Sequence, residues 1–168
     1  MKRFGVLTVA VGVMMVSPVL AGTAHADSPQ DKVVGAVTLT AENSGLTVTI
    51  EIQAFSNPDG SDPSGHFRAE TTGASAGNGG LSGHVTCLSV SGNRATVGFV
   101  VDRASGAAAG LVGKPDVDFV LDNGVPGNGQ PDFEDLNPHT GYTGDSTCPA
   151  WQDPKLPALR GNVTVSDA

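Results

Sequence analysis

Cys87 and Cys148 are the only cysteines in the chain, and no Cys-x-x-Cys redox pair is present. In an exported protein two such residues make one disulfide. Closing a loop of roughly 60 residues is worth about 4 kcal/mol in the chain-entropy treatment. A second group lies in the acidic stretch Asp116–Asp135, DVDFVLDNGVPGNGQPDFED. Hard cations take several oxygens from Asp, Asn, Glu and loop carbonyls. Asp122, Asn123, Asp132 and Glu134 form the candidate metal set, with calcium the ion they suit. The spacing does not follow the EF-hand loop. Asp122-Asn123-Gly124 and Pro126-Gly127 are also turn formers, so turn chemistry alone explains the same composition.

His66 and His84 fall beside Phe67 and Val85 on expected strands and could share a sheet face. Two imidazoles and a carboxylate suit zinc. No His-x-His or HExxH spacing is present, however, and solvent-facing strand histidines give the same pattern. Gly73-Ala74-Ser75-Ala76-Gly77 fits the G-x-S-x-G pattern. That motif needs a strand-to-helix turn, and here more glycine and then a strand follow. Glu51 and Glu70 offer a carboxylate pair of the kind glycosidases use. A glycan cleft usually adds aromatic platforms, and Tyr142 and Trp151 are the only Tyr and Trp. Those two flank Cys148. They read either as an apolar plug that orders the loop around the disulfide or as binding anchors for a partner. No residue is assigned a catalytic role.

The elements that must position these groups are strands. Leu81–Asp102, LSGHVTCLSVSGNRATVGFVVD, reads as two strands joined by a tight turn at Ser91-Gly92-Asn93. Leu88 and Val90, then Ala95, Val97, Phe99 and Val101, recur at the two-residue strand period. Lys32–Ala41 reads as a first strand, with Gly35 a site of bulge or close approach. Leu46–Phe55 alternates Leu46, Val48, Ile50, Ile52 and Ala54 against Thr47, Thr49, Glu51 and Gln53. Gly65–Thr71 buries Phe67 and Ala69 and shows His66, Arg68 and Glu70. Asp116–Leu121 puts Val117, Phe119 and Leu121 on one face, and Leu159–Val165 closes the set. Arg103–Pro115 is a Gly/Ala-rich loop, and Asp122–Pro157 is a long loop without periodicity, of a length that is usually either functional or partly disordered. The expected fold is all-β: a single antiparallel β-sandwich or small barrel of about seven strands, with a long loop before the last one.

The first 26 residues read as a signal peptide. Lys2 and Arg3 precede an apolar run, Phe4–Val16, and Ala24-His25-Ala26 supplies a small-x-small cleavage site. That run is shorter than the roughly 20 residues a bilayer span needs. Cleavage after Ala26 leaves one secreted β-domain, 27–168, with no membrane span. Removing Lys2 and Arg3 from nine basic residues leaves seven against seventeen acids, a net charge of −10. That sign disfavours nucleic acid and anionic membranes as partners.

Several stretches, taken in order, resemble a family of small secreted bacterial all-β domains of unknown function. They are Gly35, Phe55, Gly65-His66-Phe67, the L-x-V-x-G-N-x-A run Leu88–Ala95, the V-x-D-N-G-x-P-G turn Val120–Gly127, and the closing Leu159–Val165. The resemblance covers nearly the whole mature chain. The spacing Asn128-Gly129-Gln130-Pro131 before Asp132 and the length of Pro138–Pro157 depart from it. It implies an extracellular all-β domain and carries no catalytic residues. The expected function is a non-enzymatic interaction or structural module, monomeric, with an extracellular protein or glycan as partner. The alternatives are a glycan-directed extracellular hydrolase, or a small-ligand carrier if the sheet closes around a cavity.

Overall fold

The structure, a computed structural model, describes residues 29–41, 45–73, 78–124, 130–135 and 141–168. The expected signal peptide, Ser75 of the G-x-S-x-G stretch, Asn128 and His139 lie outside them. Nine strands run in chain order: β1 (Asp31–Ala41), β2 (Leu46–Ser56), β3 (Ser64–Thr72), β4 (Gly79–Ser91), β5 (Arg94–Ser105), β6 (Pro115–Leu121), β7 (Phe133–Glu134), β8 (Leu156–Pro157) and β9 (Arg160–Ser166). A short 3-10 helix, Gly106–Leu111, interrupts the loop expected at 103–115.

All nine strands form one antiparallel sheet in the order β8-β7-β6-β5-β4-β3-β2-β1-β9, curled into a half-barrel. This corrects the expectation of about seven strands and excludes the sandwich, because no second sheet is present among the described residues. The two extra strands, β7 and β8, lie inside the 122–157 loop and are two residues each. A two-residue strand repeats no side-chain alternation, so the sequence carries no period for it.

The core is the concave face. Val33, Val37 and Leu39 of β1, Val48, Ile50 and Ile52 of β2, Phe67 of β3, and Val97, Phe99 and Val101 of β5 pack there with Val163 of β9. Phe67 and Phe99 stack with ring centroids 4.0 Å apart. Each buried aliphatic side chain of this kind contributes about 1.5–3 kcal/mol of transfer free energy. Gly35 sits opposite Val163, and a Cβ there would run into the Asn162 carbonyl, so this is the close approach its place in β1 suggests.

Two β-bulges shape the β4–β5 ladder. Val85 pairs with Phe99 and Cys87 with Gly98, so Thr86 is the extra residue on β4. Ser82 pairs with Arg103 and Gly83 with Val101, so Asp102 is the extra residue on β5. A bulge bends its strand and re-aims the side chains around it. The first turns Cys87 away from the core face that holds Val85 and Leu88. The second leaves Asp102 and Arg103 both exposed and returns Ala104 to the core side.

Candidate functional site

Of the expected metal set, Asp122, Asn123 and Asp132 are drawn together, and the two aspartates are engaged with the backbone. Asp122 accepts the Gly124 amide at 2.7 Å on Oδ1 and the Val165 amide at 2.9 Å on Oδ2. Asp132 accepts the Asn123 amide at 3.0 Å on Oδ1 and the Val163 amide at 2.8 Å on Oδ2. Each of the four carboxylate oxygens therefore holds a main-chain N–H, and two of those amides belong to β9. The Asn123 side chain donates to the Pro131 carbonyl at 2.7 Å. The Ala158 amide donates to the Asp132 carbonyl and the Leu159 amide to the Thr38 carbonyl, each at 2.8 Å. These bonds fasten the turn after β6, the segment before β7 and the β8–β9 link to one another. No group of three or more His, Cys, Asp or Glu able to hold a metal ion occurs among the described residues.

Glu134 belongs elsewhere. β6 pairs with β5 so that Asp118 lies opposite Val97 and Val120 opposite Ala95, and Glu134 of β7 lies opposite Val120. Since cross-strand partners share a face, Asp118 and Glu134 point into the half-barrel. They are 2% and 0% exposed, and their four oxygens make no hydrogen bond of ordinary geometry. Burial pushes both carboxyls well above the usual range. At Glu134 the neighbouring Asp118 charge adds to the rise. At Asp118 the Asp135 amide pulls the other way while the charges of Asp135 and Asp116 push further up. Two carboxyls so enclosed resist ionising together.

The apolar face of β6, Val117 and Phe119, is buried on the opposite, outer side of the sheet, apart from the main core. A cover made by the long loop explains this. Cys87 and Cys148 form the expected disulfide, with Cα atoms 5.4 Å apart, and it pins the loop to the outer face of β4. Tyr142 is half-buried beside it. Its hydroxyl donates to the Asp145 carbonyl at 2.6 Å and accepts from Thr86 Oγ1 at 2.7 Å. Burial pushes that hydroxyl above its usual pKa. The room comes from Gly98: a Cβ there would lie 2.6 Å from Cys87 Sγ and 2.5 Å from the Tyr142 hydroxyl. Trp151 Nε1 donates to the Val120 carbonyl at 3.4 Å, and the Arg94 guanidinium lies 4.6 Å above its ring. Of the two readings of Tyr142 and Trp151, this packing favours the plug over the partner anchor.

Away from the disulfide, the outer face of β2–β5 is left open by the described residues. A shallow groove of ≈ 880 Å³ runs across it, lined by Glu51, His66, Arg68, Glu70, Asp102 and Arg103 among others. Arg68 pairs with Glu70. Glu51 lies opposite Arg68, Arg68 opposite Ser82, and Ser82 opposite Arg103, a row of alternating polarity across four strands. His66 lies directly opposite His84. His84 Nδ1 is 2.8 Å from Asp102 Oδ1, and Asp102 lies two residues past Val100, the cross-strand partner of His84. Residue types alone did not disclose Asp102 as a partner of His84. The available signal was the alternation of Val97, Phe99 and Val101, which puts Asp102 on the outward face with His84.

No helix among the described residues is long and apolar enough to cross a membrane. No protein-family model, no curated protein and no solved structure matches the chain.

Proposed function

We propose that this chain is a secreted, non-enzymatic β-domain, an interaction or structural module that presents the charged groove of β2–β5 to an extracellular protein or glycan. The observation that carries this reading is where the charged side chains stand. Both signs line one open groove on a continuous four-stranded face, whereas the enclosed carboxyls Asp118 and Glu134 are sealed from any polymeric substrate. Binding residues gain most when a rigid sheet holds them. The disulfide fits an extracellular setting, and the resemblance to small secreted bacterial β-domains points the same way. A carrier function has less support, because the concave face is filled by packed side chains. A calcium function would require an ion to displace main-chain amides from Asp122 and Asp132.

Glycan and peptide arrays probed with the wild-type protein and with an Arg68→Glu/Arg103→Glu double variant test the proposal. Hits that disappear in the double variant, at an unchanged melting temperature, support it. Hits that ignore these charges but vanish on Trp151→Ala transfer the binding surface to the loop. Turnover of any glycan that Glu51→Gln or Glu70→Gln abolishes replaces the proposal with the hydrolase.

A further inference from the structure

We propose that His66 and His84 bind a divalent transition-metal ion of the zinc class on the outer face of the sheet, with Asp102 as a positioning residue for His84. The argument starts from register. His66 and His84 are direct cross-strand partners on β3 and β4, and both side chains are exposed. Directly opposed residues hold their Cβ atoms about 4.5–5.5 Å apart. Two imidazoles at that separation can converge on one ion at metal–nitrogen distances of about 2.0–2.1 Å.

A carboxylate beside His84 adds what a chance pair of surface histidines lacks. Asp102 lies 2.8 Å from His84 Nδ1. A carboxylate accepting from Nδ1–H fixes the tautomer and the ring orientation, leaving Nε2 to coordinate, the arrangement seen behind metal-ligating histidines. Asp102 stands on the outer face by plain strand alternation, two residues past Val100, the cross-strand partner of His84.

The row continues as Gln53, His66, His84 and Val100 across four strands. Gly144 passes over Val100 at the loop end of the row, since a Cβ on it would lie 3.0 Å from Val100 Cγ2. The nearest cation on β3, Arg68, is occupied by Glu70. Imidazole donors select zinc, copper and nickel over calcium and magnesium. Two protein donors leave coordination positions for water or for a group on a bound partner. The inference goes beyond the groove reading, because it is measured with the metal alone and its failure leaves that reading standing.

The test is isothermal titration of the purified protein with zinc chloride, repeated on His66→Ala, His84→Ala, the double variant and Asp102→Asn. Wild type is expected to bind one ion saturably, each single histidine variant to lose at least tenfold in affinity, and the double variant to lose the site. Asp102→Asn is expected to weaken binding about tenfold, the lower end for an outer partner of a ligating histidine. All three side chains are exposed, so the variants keep the fold, which a thermal melt verifies. Absence of binding up to about 1 mM zinc, an interaction of only about 4 kcal/mol, overturns the proposal. So does binding that survives in the double variant. Unchanged affinity in Asp102→Asn overturns the positioning role.

Discussion

Replacing Asp118 and Glu134 by their amides tests whether the interior of the half-barrel holds a proton. Both carboxyls are fully enclosed, and burial raises both above the range of an exposed acid. A folded state that keeps a proton the unfolded chain has released loses stability as pH rises. Its contribution is fully present below the unfolded carboxyl pKa, near 4, and fades upward toward the raised folded value. Each retained proton costs about 1.4 kcal/mol per pH unit across that window, so stability falls as pH rises through it. For a domain of this size that slope lowers the midpoint by roughly 4 °C per unit. Thermal melts followed by circular dichroism, for wild type and for Asp118→Asn/Glu134→Gln at half-unit pH steps, read the difference directly. The amides keep the side-chain volume and carry no titrating proton, so the double variant is expected to lose this slope and to be the more stable protein at pH 7. A wild-type midpoint that is flat or rising from pH 5 to pH 7 refutes the reasoning, and so does an equal slope in the double variant.

Four further outcomes follow from the packing. Reduction of Cys87–Cys148, or Cys148→Ser, is expected to cost about 4 kcal/mol through the loop it closes, read as a lower denaturant midpoint, with rapid proteolysis confined to the 141–155 segment. Gly98→Ala forces a methyl group between Cys87 Sγ and the Tyr142 hydroxyl, and a loss of about 1–3 kcal/mol is expected in chemical unfolding. Asp132→Ala strips acceptors from the Asn123 and Val163 amides. It should cost about 1–3 kcal/mol per buried donor and speed hydrogen exchange at Val163, whose unchanged protection would count against the latch. Millimolar calcium is expected to leave the melting temperature where chelator leaves it, since every oxygen of Asp122 and Asp132 already holds an amide; a clear rise would restore the calcium reading by linkage.

Strands β1 to β3 were legible because one side of each is apolar at a period of two, as in Leu46–Phe55, and β4 and β5 because the same period holds on either side of their bulges. The disulfide was legible from the cysteine count and the expected export signal. The fate of β6 was not. Its Asp-Val-Asp-Phe pattern shows an apolar face, but nothing in it says that the long loop supplies a second apolar surface outside the sheet and leaves Asp118 to point inward. The role of Asp122 and Asp132 was half legible. Their chemistry as oxygen donors was plain, whereas their partners, the amides of Val163 and Val165, lie some thirty to forty residues away in sequence. The pairing of His84 with Asp102 depends on which residue of β5 lies opposite His84, a detail of register that composition does not carry.

The latch on β9 bears on how the protein lives among its own copies. A strand at the border of an open sheet exposes a row of amide donors, and another chain can extend the sheet there into dimers, swapped pairs or fibrils. Here β9 is such a border strand, bonded to β1 on one side. On its other side the Val163 and Val165 amides are already taken by Asp132 and Asp122. The protein thus occupies with its own carboxylates the positions a stacking neighbour would use, and it can accumulate without seeding its own polymerisation along that edge.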